Sequence, residues 1–433
     1  MISWMRSPGT PFAAMRVRPA SSSWRRVRRR WRSVRVICLS SGVTESLSQN
    51  ESIFRLDLLF MSRYVETASS ELAHDMEVLV TSNPVAAHLG VHDGDTDLLL
   101  PLPEPEEQWD PHLIHTHYFG FSVPEAAIGA FLYIRYQPAF PLSQGGVCLF
   151  QGNDNVEFTD MAYLDYEITM PWPRVDGNLI TTDNGMSVEF LEPGRTAKLS
   201  YAASDGRMSF DILAEGVTPL LARGHVMPGE EDHHGKSLKP GGSEQFMHVT
   251  GKLQLDGATY DIDCYAPRDR SWRQIRVEQR GAVQSPPVGW SPMYFGPDLI
   301  FNQISFESLD TGPRWAGLYE VGDRASHHFA WIQRGDETRS ITSVVRNVLE
   351  YHPRLHMAMR QEITARDDQG ETYRFKGEAI ASASIPSWPN ASFRDSVYRW
   401  EDEQGRVAHS TYQEIWFDTY QRAMADRSLS APR

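Results

Sequence analysis

Cysteine is scarce in this chain: Cys38, Cys148 and Cys264 are three residues among 433, widely separated and odd in number. A disulfide framework and a cysteine zinc site are therefore not expected, and a reducing, cytoplasmic setting fits. No apolar run approaches the ~20 residues needed to cross a bilayer as a helix, so no integral membrane segment is expected. Acidic side chains are missing from the first 44 residues, yet the formal net charge is −14, which makes the body of the chain strongly acidic. Such a body repels phosphates, and without a localised basic groove nucleic acid is not an expected partner. Also lacking are a glycine-rich phosphate loop, a nucleophile elbow and a zinc-protease helix. Kinase, dehydrogenase and serine hydrolase readings fall away, and neither a metal nor a cofactor is expected.

What is present is β-capable sequence. Residues 1–63 carry an arginine cluster (Arg25, Arg26, Arg28, Arg29, Arg30, Arg32) of a composition that cannot bury a core; a disordered extension is expected, with Met61 a possible true start. Residues 64–108 combine a short helix over Glu71–Val80 with an acidic, proline-punctuated linker, LPLPEPEEQWDP, expected to wrap a surface rather than enter a sheet. From Trp109 onward, short apolar runs recur about every ten residues between turn signals, the spacing of antiparallel barrels and sandwiches. Asp176-Gly177, Asp205-Gly206 and Asp256-Gly257 supply hairpin turns. A proline-rich stretch around Pro286, Pro287 and Pro292 separates two such series, giving β domains over 109–284 and 285–425. The terminal HSTYQEIWFDTYQRAM starts as a strand and finishes as a helix.

One stretch concentrates chemistry. In MHVTGKLQLDGATYDIDCY, alternate residues share a face, as in a hairpin. Pro267 is expected to end its second arm, placing RDRSWRQIR, with Asp269, Ser271, Trp272 and four arginines up to Arg276, in a turn at the strand exit. The run SEQFMHVTGKLQLDGATYDIDCYAPRDRSWRQIR resembles a pattern of the hydroxyneurosporene synthase (carotenoid 1,2-hydratase) superfamily, in which an acid and a tryptophan follow a strand. YRFKGEAIASASI and STYQEIWFD are similar to that group's second domain. The resemblance spans about 109–423 and implies an all-β chain of two tandem lipocalin-like antiparallel barrels enclosing apolar ligands, as in related tocopherol cyclase-like and Diels-Alderase-like proteins. Asp269 matches the acidic position, Ser271 the small polar one and Trp272 the indole. Arg273 stands where the pattern has glycine, and Pro267 where the carotenoid hydratases have tyrosine.

Hydration of an unactivated alkene needs a carboxylic acid raised in pKa by apolar surroundings and an aromatic face to steady the cation. Asp269 with Trp272 can supply both, in a hydratase, isomerase or cyclase of an isoprenoid, steroid-like or polyketide substrate. Arg268 and Arg270 flank Asp269, however, and a guanidinium within about 4–6 Å would keep it ionised in a salt-bridged corner. Glu244, Gln245 and His248 are candidates for the cavity mouth. His115 and His117, at i and i+2, share a strand face as ligand contacts; spacing fixes no third metal ligand. His327, His328 and Trp331 read as interdomain packing, and Glu231-Asp232-His233-His234 as a solvated loop. The alternatives are a non-catalytic carrier of a lipophilic metabolite and an interaction module.

Overall fold

The computed structural model describes residues 91–222, 241–275, 286–308, 313–315, 318, 327–388 and 391–430. The arginine-rich segment, the Glu71–Val80 helix and the acidic-histidine loop lie outside the described residues, as do Cys38 and most of the stretch joining the two β series.

Among the described residues, the regular structure is antiparallel sheet apart from a few 3-10 turns and one terminal helix. A first sheet is built from β1 (Leu113–Val123), β2 (Ile128–Gln137), β3 (Leu142–Gln151), β4 (Tyr163–Pro171), β5 (Arg174–Asp176), β6 (Leu179–Thr181), β7 (Ser187–Glu192), β8 (Thr196–Ala202), β9 (Met208–Gly216), β10 (Leu221–Ala222), β11 (Gly241–Leu255) and β12 (Ala258–Ile275). Its path runs β4-β3-β2-β1-β12-β11-β9-β8-β7-β6-β5, with β10 on β11, so the last long hairpin sits at the middle of the sheet. The sheet curls around one apolar face, and its end strands β4 and β5 pair on one side only among the described residues.

The second set is β13 (Val288–Trp290), β14 (Met293–Tyr294), β15 (Ile300–Phe306), β16 (His327–Arg334), β17 (Glu337–Tyr351), β18 (Ala358–Asp367), β19 (Thr372–Trp388), β20 (Ala391–Asp402) and β21 (Val407–Phe417). Strand β13 pairs with both β15 and β21, which closes eight strands into a ring. The all-β, lipocalin-like reading of the sequence holds, with one barrel closed and the other sheet a curled half-barrel. Helix α1 (Asp418–Ser430) continues β21 and covers Trp315 and Trp416 with Tyr420 and Met424.

The turns follow their sequence signals. Asp256 and Gly257 both take positive φ, 50° and 84°, between β11 and β12, and Gly177 and Gly206 serve their hairpins in the same way. Asp367 and Asp402 accept amide bonds from the residues two and four further on, pinning the β18–β19 and β20–β21 turns. Gly145 answers a packing demand instead. Its φ is +136°, and a Cβ there would lie 1.9 Å from the Tyr133 carbonyl oxygen. Gly145→Ala is expected to lower the unfolding free energy by about 3 kcal/mol, measured by urea denaturation, because both backbone strain and a main-chain clash must be relieved.

One expectation is corrected. Pro267 does not end the second arm of the long hairpin, and RDRSWRQIR is strand rather than turn: β12 runs unbroken to Ile275 and pairs with β11 from Leu255↔Ala258 to Gly241↔Trp272. The ladder to β1 begins only at Tyr118↔Asp269, so Pro267 sits where β12 has a partner strand on one side alone, a place that tolerates a missing amide donor. The charged residues therefore alternate between the two faces of a sheet.

That alternation creates two apolar layers. The concave face of the first sheet holds Phe119, Phe121, Ile134, Val249 and Ile262 among others. Its convex face, with Tyr118, Phe131, Tyr133, Cys148 and Phe150, packs against the outer wall of the barrel, where Trp290, Ile304, Phe393 and Val397 project. Ring pairs cross this seam, Phe131–Phe393 at 5.4 Å and Tyr118–Trp290 at 5.8 Å between centroids. Trp331 crosses further along, edge-on to Phe246 at 6.0 Å. Polar ties reinforce the seam: the Gln144 amide donates to the Ser387 carbonyl at 2.5 Å, and that of Asn155 to Ser382 at 3.1 Å.

Candidate active site

Strand β12 divides its charges by face. Arg268 and Arg270 point to the concave side, away from Asp269. Arg268 grips the fully buried carboxylate of Asp97 with two bonds of 2.7 and 3.1 Å, and its Nε donates to Gln245 Oε1 at 2.7 Å. Arg270 donates to the carbonyls of Thr96 (3.1 Å), Leu99 (2.5 Å), Thr116 (3.1 Å) and Ser271. Burial brings its guanidinium down to about 10. His117 completes the clamp. A carbonyl only accepts, so Nε2–H donates to Asp97 O at 2.9 Å and Nδ1 accepts from the Tyr136 hydroxyl at 2.9 Å, leaving a neutral imidazole that burial holds well below its ordinary pKa.

These groups fasten a 3-10 turn, Gly94–Leu98, into the hollow of the sheet. Asp97 thus enters the interior just upstream of the proline-punctuated linker. His115 is equally buried. Its Nδ1 accepts the Arg273 amide at 2.9 Å, and burial, then Arg270, hold the ring at about 3. Among the described residues no three metal-binding side chains converge. Arg273 takes φ 50° at this bulge, a left-handed backbone that favours glycine, and lays its guanidinium 4.7 Å from the Trp109 ring.

The convex face carries a different set. Tyr118, Asp269 and Glu244 lie side by side across β1, β12 and β11. Ser271 Oγ donates to Asp269 Oδ1 at 3.4 Å. Glu244 accepts from the Asn302 amide of the barrel, and Asn302 accepts Trp290 Nε1 at 2.9 Å. The Tyr118 hydroxyl meets Thr411 Oγ1 at 3.1 Å and lies over Gly120, where a Cβ would approach it to 2.9 Å.

Facing this row from β20 is Asp395, between Phe393 and Val397 and only 2% exposed. Its Oδ1 meets no hydrogen-bond donor, and burial pushes the carboxyl well above the usual range against the pull of Gln413 and the Ser396 amide. Tyr118 stands between the acids: burial first, then Asp395 and, more weakly, Asp269 raise its phenol. Beside Asp395 and Thr411 is a cavity of about 10 Å³ lined also by Ser122, Ser396, Ser410 and Tyr265, room for about one water molecule. A larger open groove, about 490 Å³, lies at the other end of β11 around Tyr201 and Phe210. Its charges are neutralised in place, Asp211 by Lys198 at 3.0 Å and Lys252 by Asp261 at 2.6 Å.

Of the residues singled out in the sequence, Asp269, Ser271 and Glu244 come together at the seam. Trp272 does not join them; it turns to the opposite side, edge-on to His92 at 5.0 Å and against Gly241. Gln245 spends its amide on the Gly194 and Thr218 carbonyls. His248 lies on the convex face but bonds to Asp263 at 2.7 Å and stacks on Tyr265 at 4.9 Å. Sequence reasoning missed Tyr118, Thr411 and Asp395. The last had a signal: in SFRDSVYRW the acid shares the parity of Phe393 and Val397, an acid alone on an apolar stripe.

A family described as "Domain of unknown function (DUF7064)" matches residues 103–414. The chain belongs to this family. No curated protein matches it. Among solved structures it is similar to CghA (10% identity, TM-score 0.46, covering 78% of this chain and 96% of that one) and to kievitone hydratase from Nectria haematococca (12% identity, TM-score 0.43, 79% and 98%). Among the described residues of this DUF7064 member, no helix is long and apolar enough to cross a membrane.

Proposed function

We propose that this protein is a cofactor-independent hydratase, isomerase or cyclase of a hydrophobic substrate, working by proton donation from a carboxylic acid at the seam between the two sheets. One observation carries the reading: Asp395 is a carboxyl shut between Phe393 and Val397 with an Oδ1 that meets no hydrogen-bond donor, and burial raises its pKa well above the ordinary carboxylate range. The sequence reading gave the donor's part to Asp269; in the proposal Asp395 gives the proton, and the half-buried Asp269, across Tyr118, links the site to solvent.

The chemistry balances with no co-reactant other than water, which is consumed only in a hydration. Asp395 transfers its proton to one alkene carbon, and the cation formed at the other carbon faces the rings of Tyr118 and Trp290. In a hydration, water from the adjoining cavity attacks that carbon and its proton returns to the carboxylate; in an isomerisation or cyclisation, a neighbouring C–H returns it. An isoprenoid, steroid-like or polyketide substrate needs about 300 Å³ or more, so entry spreads the seam at its aromatic rim, where Tyr265 stacks on Tyr294 at 4.1 Å.

The test is incubation of the protein in D2O with the lipophilic extract of cells that make it, followed by untargeted mass spectrometry. One neutral metabolite should gain deuterium at carbon, with or without the mass of water. A metabolite that co-purifies with the protein yet emerges unchanged and unlabelled would replace the enzyme reading with that of a carrier.

A further inference from the structure

A second cluster of charge lies inside the closed barrel, apart from the seam. Its carboxylates are fully engaged. Glu414 takes Arg346 (3.1 Å) and the Tyr412 hydroxyl (2.5 Å) on one oxygen and Trp416 Nε1 (2.7 Å) on the other. Glu307 takes the Tyr351 hydroxyl, Trp315 Nε1 at 2.9 Å and, at 3.5 Å, Arg314.

Arg394, in register with Glu414 on the neighbouring strand, has no such partner. It is 6% exposed, donates to Ser384 Oγ, leaves its Nε unmet, and forms no ion pair among the described residues. Three guanidiniums therefore share two carboxylates in a desolvated corner, and Arg394, which feels Glu414 only beyond ion-pair distance, is a cation whose burial is poorly compensated. Burial brings the Arg394 guanidinium down to about 10, against the opposing pull of Glu414.

The surplus cation has a built surround. The Trp416 ring is 6.0 Å from the Arg394 guanidinium carbon, 5.3 Å from that of Arg314 and 6.3 Å from the ring of His356. His356 is part-exposed and held in the left-handed region, φ 59°, so it marks the side of the corner that reaches solvent.

From this geometry we propose that Arg394, Arg314 and the Trp416 face form a binding site for the carboxylate of a small aromatic or acyl acid, reached past His356. A guanidinium fork matches a carboxylate, and the indole, fully buried and packed against Tyr420 in this state, is the apolar wall that a bare phosphate would not use. The site does not depend on the seam chemistry.

Benzoate, with inorganic phosphate as the second arm, tests it in the full chain. Benzoate at millimolar concentration should raise the Tm and move the His356 imidazole signals in 1H–13C spectra; phosphate should do so at least about 10-fold more weakly. Arg394→Met should keep or raise the Tm without benzoate, since no carboxylate is orphaned, and should weaken benzoate about 10-fold or more. Equal effects of the two anions would overturn the carboxylate assignment. No response of the wild-type Tm and His356 signals to either anion, or an unchanged benzoate response in Arg394→Met, would overturn the site itself. The wild-type spectra decide the matter alone if the variant does not fold.

Discussion

Arg268→Leu lowers the unfolding free energy by about 3–5 kcal/mol, the largest effect expected of a single substitution here. The side chain is 2% exposed, and its loss leaves the Asp97 carboxylate, 0% exposed, with the Gly194 amide (2.7 Å) as its remaining bond. An uncompensated charge in that hollow must either drag water in or pull the Gly94–Leu98 turn out, and the second route also loosens the two bonds of Arg270 to the Thr96 and Leu99 carbonyls. Urea denaturation measures the cost. A double variant with Asp97→Leu should recover part of it, because the orphaned charge goes too; a loss under 1 kcal/mol for the single change would mean that the turn is not clamped as described.

The second large effect is chemical. Asp395→Asn keeps the shape of the side chain and removes its proton, so deuterium incorporation should fall about 10²–10⁴-fold, the usual worth of a general acid. Folding should not suffer. The folded carboxyl has its pKa raised above the unfolded value, so the stability it contributes is complete below the unfolded pKa and is lost as pH rises through the folded one. The wild-type Tm should therefore decline with rising pH more steeply than that of Asp395→Asn, and the variant should be the more stable at pH 8. Thermal melts from pH 5 to 8 report the slope, and D2O labelling reports the turnover. Asp269→Asn should slow turnover less, since the proposal puts Asp269 on the proton's route from solvent rather than at the reacting carbon.

Much of the architecture was legible because strand signals are local. Alternation at period two and Asp-Gly turns marked β11 and β12, and the switch from strand to helix at Asp418 showed in HSTYQEIWFDTYQRAM. Proline misled, because its effect depends on which neighbour strand would need its amide, and that is a property of the sheet rather than of the sequence around Pro267. The site was less legible for the same reason. Asp269 and Trp272 are close in sequence, which suggested a pair, but three steps along a strand put them on opposite faces. Asp97 pairs with Arg268 across 171 positions, and Asp395 meets Tyr118 across 277; no spacing rule reaches that far.

The proposed chemistry requires an acid between the two sheets that holds its proton at neutral pH. Carbon-13 NMR of aspartate side-chain carboxyls, followed from pH 5 to 8 in the wild type and in Asp395→Asn, reads this directly. One carboxyl should keep the shift of the neutral acid throughout and vanish in the variant. If every aspartate is already ionised at pH 6, the seam holds no proton donor and the proposed chemistry fails.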